Sequence, residues 1–282
     1  CVDGGFAAYA AAMTLDAELT KFIPYNPRTP PLVAELPDAE TVYFLDCAGP
    51  STQYLQDCCR RFTKVVVLDH HKTGLEIMAG MSPTEFLNFA CRYEANHSGC
   101  TMALEHFHPD LSEKMRLFFL YVEDNDTWKH TLYKSKEFTA GLSSLNIDFR
   151  WDVDPQGTAT LMESLIWNSL VEVGETELKR RAALIEEYAK KSVLITLGGV
   201  DGIRAVEISP DDHGITSQLG HELALMSTEG LAAIFVEGRV SLRAMEGVDS
   251  TRIAKQYGGG GHAGASGFGM TRENWLAALQ KK

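Results

Sequence analysis

Two short apolar runs, Thr41-Val-Tyr-Phe-Leu-Asp46 and Lys64-Val-Val-Val-Leu-Asp69, each close on an aspartate, and a helix-patterned segment over 51–62 separates them. Nearly continuous apolar strands of this length, alternating with helices, belong to a parallel sheet covered on both faces. In such open sheets, ligands gather at the carboxyl ends of the strands, where both aspartates stand. A single terminal aspartate is commonly a helix cap or a turn residue. Two of them on successive strands ask for a shared purpose.

The alternation continues with a strand within 86–93 and a helix opened by Ser98 or Gly99 that runs through Phe107. A helix over 111–122 then leads into Glu123-Asp124-Asn125-Asp126. Residues 157–192 are expected to be helical with an interruption near Gly174, and the charge-rich Glu175–Lys191 stretch suits a connecting helix with one solvated face. A different pattern begins near Ser192, with strands at 193–197, 203–208, 231–236 and 239–244 and helices near 215–226, 249–257 and 272–281. The expected fold class is α/β. An N-terminal parallel-sheet domain with helices on both faces occupies 1–156, a helical connector 157–192, and a smaller C-terminal α/β domain 193–282.

Bulk properties narrow the function. With 45% hydrophobic and 23% charged residues, the 282-residue chain has the mix of an ordinary globular protein. No apolar run approaches the roughly 20 residues of a membrane helix, so no membrane partner is expected. A net charge of −12 argues against coating long duplex nucleic acid through a basic surface. It still allows a small anionic substrate, because a bound metal or a few local cations can reverse the sign inside one cleft. The six cysteines, Cys1, Cys47, Cys58, Cys59, Cys91 and Cys100, form neither a disulfide framework nor a zinc pattern. Reduced thiols in an intracellular, cytoplasmic setting fit them best. A chain that opens Cys-Val-Asp-Gly is expected to have lost residues upstream, which keeps an organelle open.

The sharpest local feature is Asp69-His70-His71 at the end of the second apolar run. Aspartate supplies a hard anionic oxygen and neutral imidazole a borderline nitrogen, a combination suited to manganese and similar divalent ions. Adjacent histidines leaving a strand point in different directions, so one can bind metal while the other reaches for substrate. With Asp3, Asp46 and Asp124 the tripeptide becomes a constellation. Carboxylates buried together repel one another unless a cation lies between them. Divalent ions would remove that cost, polarise a phosphoryl oxygen and lower the pKa of a bridging water.

A second feature is Gly258-Gly-Gly-Gly261-His262-Ala-Gly-Ala-Ser-Gly267. Dense glycine permits close backbone approach, and unhindered amides can cradle an anion. His262 would add a donor, and Arg243 upstream could offer a guanidinium fork to phosphate; a flexible loop with a surface histidine is the alternative. His97-Ser98-Gly99 opens a helix, either donating amides to phosphate or simply capping it. Trp128 is open to two uses, stacking on a base or packing in the core, the latter the commoner one. His106, His108, His130, His213 and His221 lack ligand-like spacing.

The ordered set Asp3-Gly4, Asp46, Asp69-His70-His71, Asp124 and Gly258–Gly267 resembles the DHH phosphoesterases that carry a DHHA1 domain, a group that includes RecJ-type and nanoRNA or bisphosphonucleotide phosphoesterases. The motifs reach from residue 3 to residue 267. The resemblance implies that Asp46 bridges two metals, that Asp3 holds the first, and that His70 with Asp124 holds the second. His71 would contact the substrate phosphate, and Asp69 would orient the imidazoles or approach the metals itself. Arg243, Gly259, Gly260, Gly261 and His262 would hold the substrate's terminal phosphate or nucleotide. Two departures stand out: a histidine usual just before this motif would lie upstream of Cys1, and Gly5 stands where many relatives have a second aspartate. Asp126 is a candidate to compensate.

The function implied is metal-dependent hydrolysis of phosphate esters in short single-stranded oligonucleotides or small nucleotides, with one or two Mn2+ or Mg2+ ions and room for a homodimer. His71 and Arg243 would stabilise charge on the phosphoryl oxygens. An exopolyphosphatase or pyrophosphatase is a rival, disfavoured by the glycine-histidine motif. A catalytically impaired nucleotide-binding module is another, suggested by Gly5.

Overall fold

In the computed structural model, residues 1–26 and 29–280 are described, with the backbone alone at His262. The chain divides into two compact units, Cys1–Glu177 and Leu178–Lys282.

The first unit opens with helix α1 (Val2–Ala12), followed by β1 (Thr41–Leu45), α2 (Thr52–Arg61), β2 (Lys64–Asp69), α3 (Lys72–Ala79) and β3 (Phe89–Tyr93). Helices α4 (Gly99–Phe107), α5 (Glu113–Asp126), α6 (Ser135–Ser144), α7 (Pro155–Ser164) and α8 (Trp167–Lys191) complete it, α8 continuing into the second unit. The three strands pair in parallel in the order β1-β2-β3, with Val42 opposite Val65 and Val66 opposite Ala90.

Central β2 shows why this sheet needs cover on both sides. Successive side chains leave a strand on opposite faces. Val65 and Val67 join Leu55, Cys58, Cys59 and Met78 from α2 and α3. Val66 and Leu68 join Phe6, Ala10, Met102 and Phe119 from α1, α4 and α5. A polar residue at any of these four β2 positions would enter one core or the other.

Two expectations are corrected here. Gly174 does not interrupt a helix; the break falls at Leu165 and Ile166, and α8 runs through Gly174. The glycine is there for close approach, since a Cβ would stand 2.8 Å from the amide nitrogen of Gly141 and against the Glu137 carbonyl. Helix α5 also runs to Asp126 rather than ending at Val122, which decides the geometry of the acidic cluster below.

The second unit contains β4 (Val193–Leu197), β5 (Val200–Glu207), α9 (Thr216–Leu225), β6 (Leu231–Val236), β7 (Arg239–Ala244), α10 (Thr251–Gln256), β8 (Gly260–His262), β9 (Ala265–Gly269) and α11 (Arg272–Gln280). The six strands follow the order β4-β5-β6-β7-β9-β8, antiparallel apart from β5 and β6. One face packs with Ile253 of α10 and Trp275 of α11. The other packs with Leu219 and Leu223 of α9 and with Leu184 and Ile185 of α8. All six cysteines are free thiols. Among the described residues no helix is long and apolar enough to cross a membrane.

Candidate metal centre

The site begins where β1 ends. Asp46 sits at φ +60°, a left-handed conformation uncommon outside glycine but tolerated by aspartate. Its amide still donates to Leu68 O on β2 at 2.9 Å, so the chain turns sharply while remaining tied to the sheet. The turn carries Asp46 against the start of α4, and Gly99 makes room for it. A Cβ on Gly99 would lie 2.5 Å from Asp46 Cβ and 2.8 Å from its Cα.

Asp3, in the first turn of α1, reaches the same helix start. Gly99 N donates to its Oδ2 at 2.7 Å and Cys100 N to its Oδ1 at 2.9 Å. The amides considered as a phosphate cradle are therefore engaged by Asp3, and Ser98 caps the helix through Thr101 N. Asp3 is only 3% exposed, and burial, with the neighbouring Asp46 adding to it, pushes its carboxyl up to about 7. Cys1 completes this edge, its thiol donating to Asp46 Oδ2 at 3.0 Å and accepting from Gly4 N at 3.1 Å.

The two histidines diverge as expected for neighbours leaving a strand. His70 turns inward, its Nε2 lying 3.3 Å from Asp46 Oδ1, 3.2 Å from Asp126 Oδ2 and 3.8 Å from Asp3 Oδ2. His71 turns outward, its side chain 54% exposed. Asp69 Oδ1 lies 2.7 Å from His71 Nδ1 and accepts from His71 N at 3.1 Å. That bond to Asp69 pushes the imidazole up to about 9 against the effect of burial. Asp69 in turn has room only because α3 carries a glycine: a Cβ on Gly74 would fall within 2.8 Å of its Cγ.

Asp124, expected as a metal ligand, is not in this group. Its Oδ1 accepts from Thr131 N and Thr131 Oγ1, both at 2.8 Å, and its Oδ2 from Leu132 N at 3.2 Å. Burial raises its carboxyl, but donors from Ser135, Thr131 and Leu132 outweigh that and hold it below the ordinary range. Two steps on a helix turn a side chain by about 200°, so Asp126 faces the cluster while Asp124 faces the loop beyond α5.

Among the described residues, two groups of side chains have ligand atoms within 4.8 Å of one another: Asp3, His70 and Asp126, and Asp46, His70 and His71. Asp46 Oδ1 and His70 Nε2 are buried and have no hydrogen-bond partner. At 3.3 Å the two can meet as an ion pair only if His70 is protonated, and gathering Asp3, Asp46 and Asp126 around one imidazole is costly unless a further cation lies among them. The donor set of hard oxygens with one or two imidazoles suits a divalent ion such as Mn2+. These residues fit a divalent ion.

Gly5 departs from the expected carboxylate for a visible reason. Three carbons of the Phe149 ring would stand 2.7 Å from a Cβ there, and Trp151 Nε1 donates to Gly5 O at 3.0 Å. Aromatic packing fills the place.

In the second unit, Arg243 lies along α9. A Cβ on Gly220 would meet its Cγ at 2.4 Å, and its guanidinium donates to Leu242 O at 2.8 Å and Ser217 Oγ at 3.0 Å. The glycine run is a hairpin arm rather than an open loop, with Gly260 opposite Gly267 and Gly261 opposite Ser266. Gly259 N donates to Ala254 O at 2.9 Å, so that amide is not free to cradle an anion. Gly261, at φ +141° with Ala265 O 2.6 Å from a would-be Cβ, is required by the hairpin itself. The side chain of His262 lies outside the described residues.

One contributor, Glu123, has no role assigned from the sequence. Glu123, one turn before Asp126, accepts from Ser98 N at 3.3 Å, lies 3.0 Å from His97 Nδ1 and bonds Thr101 Oγ1. It therefore ties α5 to the start of α4. Its spacing of three from Asp126 on one helix was the available clue.

No family model matches the chain. It is 25% identical over 215 residues to an uncharacterized protein of Acanthamoeba polyphaga mimivirus, covering 73% of this chain and 48% of the viral protein. Among solved structures it is similar to RecJ of Thermus thermophilus in complex with Mn2+, with a TM-score of 0.54, 16% identity and coverage of 98% of this chain and 49% of RecJ. An exonuclease RecJ bound to manganese gives a TM-score of 0.54 at 17% identity, covering 98% of this chain and 85% of RecJ. The DHH domain of a member of a family of ribosomal proteins gives 0.50 at 15% identity, covering 85% of this chain and 68% of the other. The chain spans about half the length of the viral protein and of the Thermus RecJ. It has the fold of RecJ and of the DHH domain, the group that its motifs resemble.

Proposed function

We propose that the chain is a divalent-metal-dependent phosphoesterase that hydrolyses phosphate esters in short single-stranded oligonucleotides or small nucleotides. The observation that carries this reading is the gathering of the Asp3, Asp46 and Asp126 carboxylates around His70 Nε2. Asp3, Asp46, His70 and Asp126 hold one or two Mn2+ or Mg2+ ions. A bound ion supplies Lewis acidity toward a phosphoryl oxygen and toward water. The chain's own residues do the rest. Asp69 fixes His71 by Nδ1 and leaves its Nε2 for the substrate. Held by Asp69, the His71 imidazole would face a phosphoryl oxygen and stabilise charge that builds there.

On this reading residues 1–156 are the catalytic domain, 157–192 the connector and 193–282 a substrate-binding domain, with Arg243 and His262 as its candidate phosphate-binding residues. The RecJ structures bound to manganese support the choice of metal by likeness. The test is hydrolysis of short RNA, a bisphosphorylated nucleoside and polyphosphate with Mn2+. Manganese-dependent turnover of the first or second supports the reading, and no turnover of any defeats it.

Phe149 over Gly5 favours a second reading, a nucleotide-binding module with impaired catalysis. Tight nucleotide binding without turnover distinguishes it.

A further inference from the structure

The loop after Asp126 is held with unusual thoroughness, and what it holds is a tryptophan in solvent. Trp128 is 72% exposed, which overturns the expectation of a core residue. It sits at φ +56° and His130 at φ +46°, conformations that bulky side chains seldom adopt. Such backbone persists only where its surroundings over-determine it. Here Trp128 N donates to Asn125 O at 3.0 Å, while Lys129 N and His130 N both donate to Asp124 O, at 2.9 Å and 3.1 Å. The Asp124 carboxylate takes the next two amides, Thr131 N and Leu132 N. Lys129 Nζ anchors the loop to Asn96 O at 2.7 Å, beside the start of α4. The indole packs against His130 with ring centroids 5.5 Å apart and planes at 80°.

This effort does not bury the indole, so burial is not what it achieves. It fixes a large flat π surface two residues from Asp126, the acid that faces His70 at 3.2 Å. Two residues span at most about 7.6 Å between Cα atoms. The Trp128 backbone therefore lies within a nucleotide's reach of a phosphate at the metal centre. Every base has a π face, and aromatic platforms bind single-stranded nucleic acid through it without reading sequence. In a duplex those faces are already stacked.

We propose that Trp128 is a stacking platform for a nucleobase of the substrate, which makes the substrate class a single-stranded nucleotide bearing a base next to the scissile phosphate. The inference rests on the nucleotide reading of the metal centre. It also gives Asp124 a purpose away from the metal: holding the loop that presents the indole.

The test separates the two claims by using binding for one and turnover for the other. The full chain with Mn2+ is titrated with a hydrolysis-resistant phosphorothioate dinucleotide and with its abasic counterpart. Wild type is expected to prefer the dinucleotide by about tenfold, Trp128→Phe to keep most of that preference, and Trp128→Ala to bind both ligands alike. A Trp128→Ala protein that still prefers the dinucleotide overturns the platform, as does a wild type that binds both ligands equally or neither. Turnover of the ordinary dinucleotide is measured on the same samples. Base-dependent binding without turnover upholds the platform and defeats the hydrolase reading.

Discussion

Asp124 and Asp126, two residues apart on α5, face opposite ways: Asp126 Oδ2 lies 3.2 Å from His70 Nε2, whereas Asp124 Oδ1 accepts from Thr131 N at 2.8 Å. The pair divides the work at this end of the helix, one acid facing His70 and the other folding the loop beyond it. Replacing each by alanine should have opposite signatures. Asp126→Ala is expected to weaken Mn2+ binding at least about tenfold with little change in the melting temperature of the metal-free protein. Asp124→Ala should keep the metal and lose about 1–3 kcal/mol of stability, because buried donors lose their acceptor. Calorimetric titration with Mn2+ and thermal unfolding of the two variants check this.

Metal removal should make stability fall as pH rises. Burial and Asp46 push Asp3 up to about 7 in the folded metal-free chain, above its ordinary value of 3.8. A group raised on folding favours the native state fully below its unfolded pKa and loses that contribution as pH climbs through the folded one. His71, raised to about 9 from 6.5, has the same sign at higher pH. The melting temperature of chelator-treated protein is thus expected to decline between about pH 4 and pH 9. Saturating Mn2+ should flatten the Asp3 part of that decline, since a bound cation favours the ionised carboxylate. A metal-free melting temperature that rises steadily over this range would refute the account of Asp3.

Gly99 should tolerate no side chain. With Asp46 Cα 2.8 Å from the would-be Cβ, Gly99→Ala must displace Asp46 or the start of α4. The expected cost is about 1–3 kcal/mol, together with loss of Mn2+ affinity, because Asp46 and the Asp3-bound amides of α4 move together. Unchanged metal binding in a folded Gly99→Ala protein would contradict the packing described.

The second carboxylate missing at Gly5 should be recoverable only by moving Phe149. Gly5→Asp alone places its Cβ 2.7 Å from the phenyl ring and should cost about 1–3 kcal/mol. In the Gly5→Asp/Phe149→Ala protein that penalty should shrink, giving a favourable coupling in a double-mutant cycle. Additive effects of the two substitutions would show that the ring does not exclude the acid.

The parallel sheet was legible because β2 is buried on both faces and so reads as an unbroken apolar run, and the two strand-end aspartates were legible for the same reason. Asp69-His70-His71 could be read because neighbours leaving a strand must diverge. Which of Asp124 and Asp126 faces His70 depends on helical phase, and phase is defined only because α5 continues past Val122. Gly174 was misread because a glycine in a helix signals a break and a close helix contact equally well. The exposure of Trp128 is not legible in the sequence, because it follows from two left-handed residues and a carboxylate clamp, none of which leaves a hydrophobic period. The glycine arm looked like an anion cradle, yet Gly259 and Gly261 are glycine for the sake of the β8–β9 hairpin.

The central claim is that Asp3, Asp46, His70 and Asp126 surround a divalent cation. Anomalous scattering from a manganese-soaked crystal tests it most directly. The account predicts one or two peaks bounded by those four side chains, with Asp124 still accepting from Thr131 and Leu132. No peak among them, or a peak coordinated by Asp124 in place of Asp126, would contradict it.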